Sequence, residues 1–127
     1  MKKLLIPIVT AAAVAFAGVA LAAAPTKIGN SAKGKVLTNM HGMTLYTFAK
    51  DKNGKSACNG KCVKNWPPLM ASAGAKASGK YSVITRANGK KQWAYKGKPL
   101  YTWKNDKKPG DITGNGLLHG AWHIAKP

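Results

Sequence analysis

Apolar and polar residues alternate over short runs along most of the chain, and most of the runs end near glycine, proline or asparagine. This pattern predicts short β-strands joined by turns. The predicted strands lie at 35–39, 44–48, 81–85, 92–95, 100–103 and 121–125. Turn signals at Asn88-Gly89 and Lys96-Gly97 separate three consecutive strands, which favours a meander. No helical period stands out, so we expect an all-β, mostly antiparallel fold.

The same pattern occurs twice. Residues 42–51 align with 97–106 at an offset of 55, with five identical positions out of ten, and the offset then becomes 56. The matched motif residues are Tyr46 and Tyr101, Phe48 and Trp103, Asp51 and Asp106, and Trp66 and Trp122. Such self-similarity is the signature of a repeat. We therefore predict two pseudo-equivalent, hairpin-based repeats with long loops, whose aromatic faces pack together as a small sandwich or barrel.

The chain divides into a leader, a lead-in and one β domain. Lys2 and Lys3 precede an apolar run and a small-residue site, which predicts a signal peptide over 1–22. Residues 23–34 are polar and turn-forming, and we expect a lead-in there. The single domain, 35–127, then comprises repeat one (35–70), a flexible loop (71–80) and repeat two (81–127).

The predicted strands carry apolar residues on both faces. Tyr101 and Trp103 point one way and Leu100 the other, so both faces are covered, or one of them lines a pocket. Packing explains the aromatic residues better than ligand stacking does. A further interpretation uses Trp66 or Trp122 as exposed anchors for a partner. The two prolines after Trp66 demote 66–69 to an edge or extended segment.

Charge narrows the class of partner. The chain has 21 Lys and Arg residues against three Asp, and it contains no Glu. Arg86 is the single arginine. Lysine is a hydrated point charge, whereas arginine suits bidentate contacts to phosphates and bases. We therefore expect diffuse attraction to an anionic surface or polymer of the envelope or the extracellular space, without specific nucleic-acid recognition. A lysine coat that serves only solubility explains the charge equally well.

Several short motifs together resemble a known family. They are the two Tyr-x-aromatic-x-x-Asp segments at 46–51 and 101–106, Ser56-Ala57-Cys58-Asn59-Gly60-Lys61-Cys62, and Trp66-Pro67-Pro68-Leu69. With these motifs the chain resembles the bacterial secreted-repeat family of small exported proteins and lipoproteins, over nearly the whole predicted mature chain. The resemblance implies export to the periplasm or beyond and a repeat architecture, but no biochemical activity. The predicted cleavage site has no cysteine, so we expect no lipid anchor and no membrane span after leader removal.

Cys58 and Cys62 are the only cysteines. In an oxidising compartment they favour a disulfide that closes a short loop. The alternative is a copper(I) or thiol-redox site, in which His41 joins the two sulfurs, since soft thiolates suit cuprous ion. His119 and His123 form a weaker metal candidate, on the argument that their even spacing places them on one face of the last strand.

No catalytic constellation is visible in the sequence. Asp51, Asp106 and Asp111 are the only acids, and the position of the first two just after a strand is typical of side chains that bind turn amides. We predict a non-enzymatic, strongly basic binding protein without a cofactor. The alternative is a copper-binding or thiol-redox protein of the cell envelope.

Overall fold

The computed structural model describes residues 25–127, so the predicted leader lies outside the described residues. The strands are β1 (Lys27–Ser31), β2 (Gly34–Thr38), β3 (Tyr46–Phe48), β4 (Met70–Ala71), β5 (Tyr81–Thr85), β6 (Lys91–Tyr95), β7 (Lys98–Pro99) and β8 (Trp122–Ile124). Two short helices, α1 (Lys61–Asn65) and α2 (Leu117–Gly120), precede the last segment of each repeat. The fold is therefore all-β and mostly antiparallel, as predicted.

Each repeat begins with a β-hairpin. In repeat one β1, which lies before the predicted start at residue 35, pairs antiparallel with β2, and in repeat two β5 pairs antiparallel with β6. The predicted polar lead-in over 23–34 is wrong for 27–31, because these residues form β1. The sequence pattern does not indicate this strand, because Ile28 is its only large apolar residue. Backbone bonds to β2 hold it in place.

A three-strand meander forms as predicted, but its third strand is β7 (Lys98–Pro99) instead of 100–103, where Tyr101 makes only isolated bridges to Tyr46 and Pro68. β6 pairs with β5 along one edge, and with β4 and β7 along the other. Lys96 and Gly97 make the two-residue turn into β7, with φ angles of 51° and 81°. This turn needs positive φ at both positions, which glycine adopts freely. Among the described residues, the sheets have two, two and four strands and do not close into a barrel.

The two repeats exchange their last segments. β3 of repeat one pairs with β8 of repeat two, and the extended segment at Pro68 of repeat one pairs with Tyr101 of repeat two. Tyr46 and Tyr101 sit where the two exchanges meet. The Tyr46 amide donates to the Tyr101 carbonyl at 2.7 Å, and the reverse bond is 3.0 Å.

Backbone hydrogen bonds also join the hairpin of each repeat to the last segment of the other repeat. The Leu37 amide of repeat one donates to the Ala125 carbonyl of repeat two at 2.9 Å. At the matching positions, the Trp93 amide of repeat two donates to the Leu69 carbonyl of repeat one, also at 2.9 Å. Each hairpin is therefore completed by backbone from the other repeat.

Two apolar clusters lie on opposite faces of the central strands. One contains Tyr46, Tyr101 and the large rings, and the other contains Leu37, Leu45, Leu100 and Tyr95. Leu45 and Tyr46 follow one another, as do Leu100 and Tyr101, so their side chains point to opposite faces. The expectation that both strand faces are covered is confirmed.

Two segments between the strands differ from a purely β pattern. The helices α1 and α2, of five and four residues, are too short to produce a helical period in the sequence. Residues 72–80 contain turns, and a bridge joins Ser78 to Tyr81, but no helix or strand forms there. The flexibility of this loop stays a prediction.

Candidate functional site

The motif aromatics form one stack across the repeat junction, here called the aromatic column: Phe48, Trp122, Trp66 and Trp103. Neighbouring ring centroids lie 4.1, 3.8 and 4.2 Å apart in that order. Trp66 and Trp122 occupy the centre, with their planes 2° apart. Both are buried, so the interpretation that either is an exposed anchor is wrong. The column belongs to the core.

The motif tyrosines bind the motif aspartates of the opposite repeat. The Tyr46 hydroxyl donates to Asp106 Oδ2, and the Tyr101 hydroxyl donates to Asp51 Oδ2, each at 2.6 Å. Burial, and then the neighbouring carboxylate, raises the pKa of both tyrosines far above its usual range. Both phenols therefore stay protonated and act as fixed donors.

The remaining carboxylate oxygens bind turns, as predicted. Asp51 Oδ1 accepts the Ala57 amide at 2.7 Å, and Asp106 Oδ1 accepts the Thr113 amide at 2.9 Å. Burial raises the pKa of Asp51 above its usual value, although its hydrogen bonds act in the opposite direction. The chain's remaining acid, Asp111, accepts from Lys108 Nζ at 2.7 Å, and this bond lowers the pKa of Asp111. All three carboxylates are committed to internal hydrogen bonds.

Arg86 has a structural role that the sequence does not predict. It is 5% exposed. Its guanidinium donates to the Cys58 carbonyl at 2.6 Å, to Gln92 Oε1 at 2.7 Å and to Ser56 Oγ at 3.1 Å. It thereby fastens the cysteine loop of repeat one to the hairpin of repeat two. The sequence signal for this role is that the chain has one arginine among many lysines. The five N–H donors of a guanidinium have a fixed geometry, which suits a buried residue that binds several acceptors.

A disulfide joins Cys58 to Cys62, with a Cα separation of 5.2 Å, so the structural interpretation of the pair is confirmed. Cys58 is buried against the first cluster, and Cys62 is partly buried. His41 is exposed on the β2–β3 turn. Within residues 25–127, no three His, Cys, Asp or Glu residues are grouped in a way that could hold a metal ion.

The second predicted metal pair is not assembled on one strand. His119 lies in α2, in a left-handed conformation with φ of 56°, whereas His123 lies on β8. Both are exposed. The predicted shared strand face is wrong because β8 begins only at Trp122.

The lysines make up a largely unpaired surface. From residue 25 onward, every lysine except Lys91 is exposed, and Lys91 is half-buried. Lys108–Asp111 is the only ion pair among the described residues. The positive charge is therefore almost uncompensated at the surface.

Part of this surface is concave. The residues Thr47 and His123 pair across β3 and β8 and face outward, because their strand neighbours Tyr46, Phe48 and Trp122 are buried. Two adjoining hollows of about 240 and 330 Å³ share Thr47, His123 and Lys98. We call this surface the lysine trough: Thr47, Lys52, Lys96, Lys98, His123 and Lys126. Asp51 also contributes to the wall of one hollow, with its carboxylate bound internally.

These features define a small all-β protein of two interlocked repeats, with an aromatic junction and a lysine surface. A family model described as a secreted repeat of unknown function matches residues 27–70 and 82–126. The chain belongs to this family. Searches of curated proteins and of solved structures found no significant match. None of the described helices has the length and apolar character needed to cross a bilayer.

Proposed function

We propose that the protein is an exported, non-enzymatic binding protein that contacts anionic polymers or surfaces of the periplasm or extracellular space. One observation carries the proposal: the three carboxylates are bound internally, while all but one of the lysines from residue 25 onward are exposed. A surface of this kind attracts polyanions and releases their counterions on binding.

The lysine trough is the proposed centre of the contact. Lys96, Lys98 and Lys126 surround one hollow, and Lys52 extends the row along the other. Flexible, hydrated ammonium groups accept many anion geometries, which suits a polymer of variable shape better than a defined base or phosphate. The single arginine is buried and takes no part.

A non-enzymatic role is supported by the internal hydrogen bonds that hold the polar side chains at the repeat junction. The hydroxyls of Ser56 and Tyr101 bond to each other at 2.6 Å, and Ser56 also accepts from Arg86. Tyr101 in turn donates to Asp51. These internal bonds support a structural role for the three side chains.

The test uses the exported protein and polygalacturonate, a linear polycarboxylate, as the probe. We expect binding that weakens about tenfold or more between 50 and 200 mM salt, by counterion release. A trough variant, Lys98→Glu with Lys126→Glu, should bind about tenfold more weakly than a control variant of equal net charge, Lys61→Glu with Lys64→Glu on α1. Absent or salt-independent binding contradicts the function. Equal losses in the two variants contradict the trough as its centre.

The second candidate is a copper-binding or thiol-redox protein. Partial exposure of Cys62 favours it, because a partly accessible sulfur can take part in thiol exchange. Both sulfurs must be reduced before they can bind cuprous ion. Thiol labelling of protein taken directly from its compartment tests the idea. A fully oxidised pair that does not exchange and carries no metal rules it out.

A further inference from the structure

The second apolar cluster is open to solvent on one side. A groove of about 410 Å³ runs between the β1–β2 hairpin of repeat one and the β5–β6 hairpin of repeat two. Its walls include Ile28 and Leu37 from repeat one, and Tyr81, Trp93 and Tyr95 from repeat two. The volume lies within the range of small-molecule sites. The groove shares no residue with the lysine trough, and of the residues that line the two hollows it shares only Tyr95.

The aromatic wall is already in place. The ring centroids of Tyr81 and Trp93 lie 6.3 Å apart at 84°, and those of Tyr81 and Tyr95 lie 5.0 Å apart at 49°. A hydrogen bond between the Tyr81 hydroxyl and Thr26 Oγ1 joins the two sides of the groove. These contacts hold the rings in position, so a ligand does not have to order them.

Ile28 is a large apolar side chain without a full set of neighbours. It is 59% exposed although it lines the groove. Its pairing partner in the hairpin, Leu37, is buried in the second cluster. Apolar material laid in the groove would remove Ile28 from water, and burial of apolar surface of this kind is favourable.

Two lysines are part of the groove lining. Lys76 and Lys80, from the loop at 72–80, contribute to its lining. Neither forms an ion pair with any residue that the structure describes. A lining of apolar side chains with two unpaired ammonium groups is complementary to a ligand with one alkyl chain and one anionic group.

We propose that this groove binds a single-chain anionic amphiphile, specifically a fatty-acid carboxylate. The alkyl chain lies along Ile28, Leu37 and Trp93, and the carboxylate lies beside Lys76 and Lys80. The other three tryptophans of the chain belong to the aromatic column and do not line this groove, so Trp93 is the reporter for occupancy.

The experiment titrates the exported protein with dodecanoate below its micelle concentration, followed by tryptophan fluorescence and by calorimetry. We expect saturable one-to-one binding. Trp93→Phe should lose the fluorescence change and keep the calorimetric signal. Lys76→Glu with Lys80→Glu should weaken binding about tenfold or more, whereas the Lys61→Glu, Lys64→Glu control should stay within about twofold of the natural protein. Dodecanol, without the charge, should bind more weakly.

Ile28→Glu provides a second, independent variant, since an exposed position tolerates the change and the new carboxylate repels the ligand. It should weaken dodecanoate binding about tenfold with an unchanged circular dichroism spectrum. Unchanged binding by this variant, or an equal loss in the α1 control, overturns the site. Binding to vesicles of anionic phospholipid without binding of free dodecanoate also overturns it, and would assign the face to a membrane surface instead.

Discussion

The hydroxyl of Tyr46 donates to the carboxylate of Asp106 across 2.6 Å, and this bond joins the first repeat to the second. The matching bond, from Tyr101 to Asp51, runs in the opposite direction with the same length. Within a repeat, the motif tyrosine and the motif aspartate are not partners. The Tyr-x-aromatic-x-x-Asp motif therefore encodes the junction between the two copies.

Removing either hydroxyl should weaken the junction, and the two losses should differ. Tyr46→Phe leaves Asp106 Oδ2 and the Gly114 amide, which lies 3.2 Å from that hydroxyl, without a hydrogen-bond partner inside the core. We expect a loss of about 2–3 kcal/mol in the free energy of unfolding. Tyr101→Phe should lose about 1–2 kcal/mol, because Asp51 and Ser56 are half-exposed and can bind water.

Denaturant unfolding at neutral pH measures both losses. Tyr95→Phe is the matched control, because Tyr95 packs through its ring in the second cluster and lines the open groove instead of the repeat junction. It should stay within about 0.5 kcal/mol of the natural protein. If Tyr46→Phe is no more destabilising than this control, the bond to Asp106 contributes nothing to stability.

Alkaline pH should destabilise the fold through the same two phenols. Burial, and then the carboxylates, raises the pKa of Tyr46 and Tyr101 above the unfolded value of 10.0. The folded state keeps protons that the unfolded state loses, so their contribution to stability is present below pH 10 and falls as the pH rises above it. Each phenol should contribute a slope of about 1.4 kcal/mol per pH unit there.

Comparing the natural protein with Tyr101→Phe between pH 9 and pH 11.5 separates the contribution of the Tyr101 phenol to stability from that of the titrating lysines. The variant should show the shallower decline in unfolding free energy. Identical slopes would mean that Tyr101 ionises as readily in the folded protein as in the unfolded chain.

The sequence identified the repeat and most of the strands because both depend on local pattern. Alternation at Tyr46-Thr47-Phe48 predicts a strand with two buried rings, and the spacing of Cys58 and Cys62 favours a disulfide. The turn-binding role of Asp51 also follows from its neighbours along the chain. These features need no knowledge of which segments meet in space.

What the sequence could not reveal depends on contacts between distant segments. Arg86 is buried because Ser56 and Cys58, about thirty residues away, offer it acceptors. β1 is held by backbone pairing rather than by apolar residues, so no alternation marks it. The exchange of segments between repeats cannot be predicted from the sequence either. The residue pattern of β8 is equally compatible with pairing to a strand of its own repeat and to a strand of the other repeat.

Any side chain at position 114 should destabilise the protein, although the residue that matches Gly114 in repeat one is Cys58. A Cβ there would lie 2.7 Å from Trp66 Cη2 and 3.0 Å from Trp103 Cγ, both atoms of rings packed in the aromatic column. Gly114→Ala should therefore cost about 1–3 kcal/mol of unfolding free energy, since the column has to shift. Near-UV circular dichroism should change as well, because it reports the packing of the rings.

Gly74→Ala is the matched control. Gly74 lies in the loop between the repeats with no atom within 4 Å of a Cβ, and its φ is not positive. The replacement should be neutral or stabilise by up to about 1 kcal/mol, by restricting the unfolded chain. Equal effects at the two positions would show that the column adjusts without cost.

Cutting the chain between the repeats should not separate them. Each repeat contributes backbone pairing to the other, at β3 with β8 and at Leu69 with Trp93, so neither repeat can satisfy its strands alone. A protease site placed at 73–77 allows a single cut in the folded protein. We expect the two fragments to elute as one species with the near-UV spectrum of the intact chain.

The cut should still lower stability, because a covalent linker supplies an effective concentration in the millimolar range. At about 1 μM protein, its loss amounts to about 4 kcal/mol. Fragments separated in denaturant should recover the native spectrum only when mixed, and each one alone should lack it. Independent elution of two fragments, each with a native-like spectrum, would mean that the repeats fold separately and that the exchanged strands do not hold the protein together.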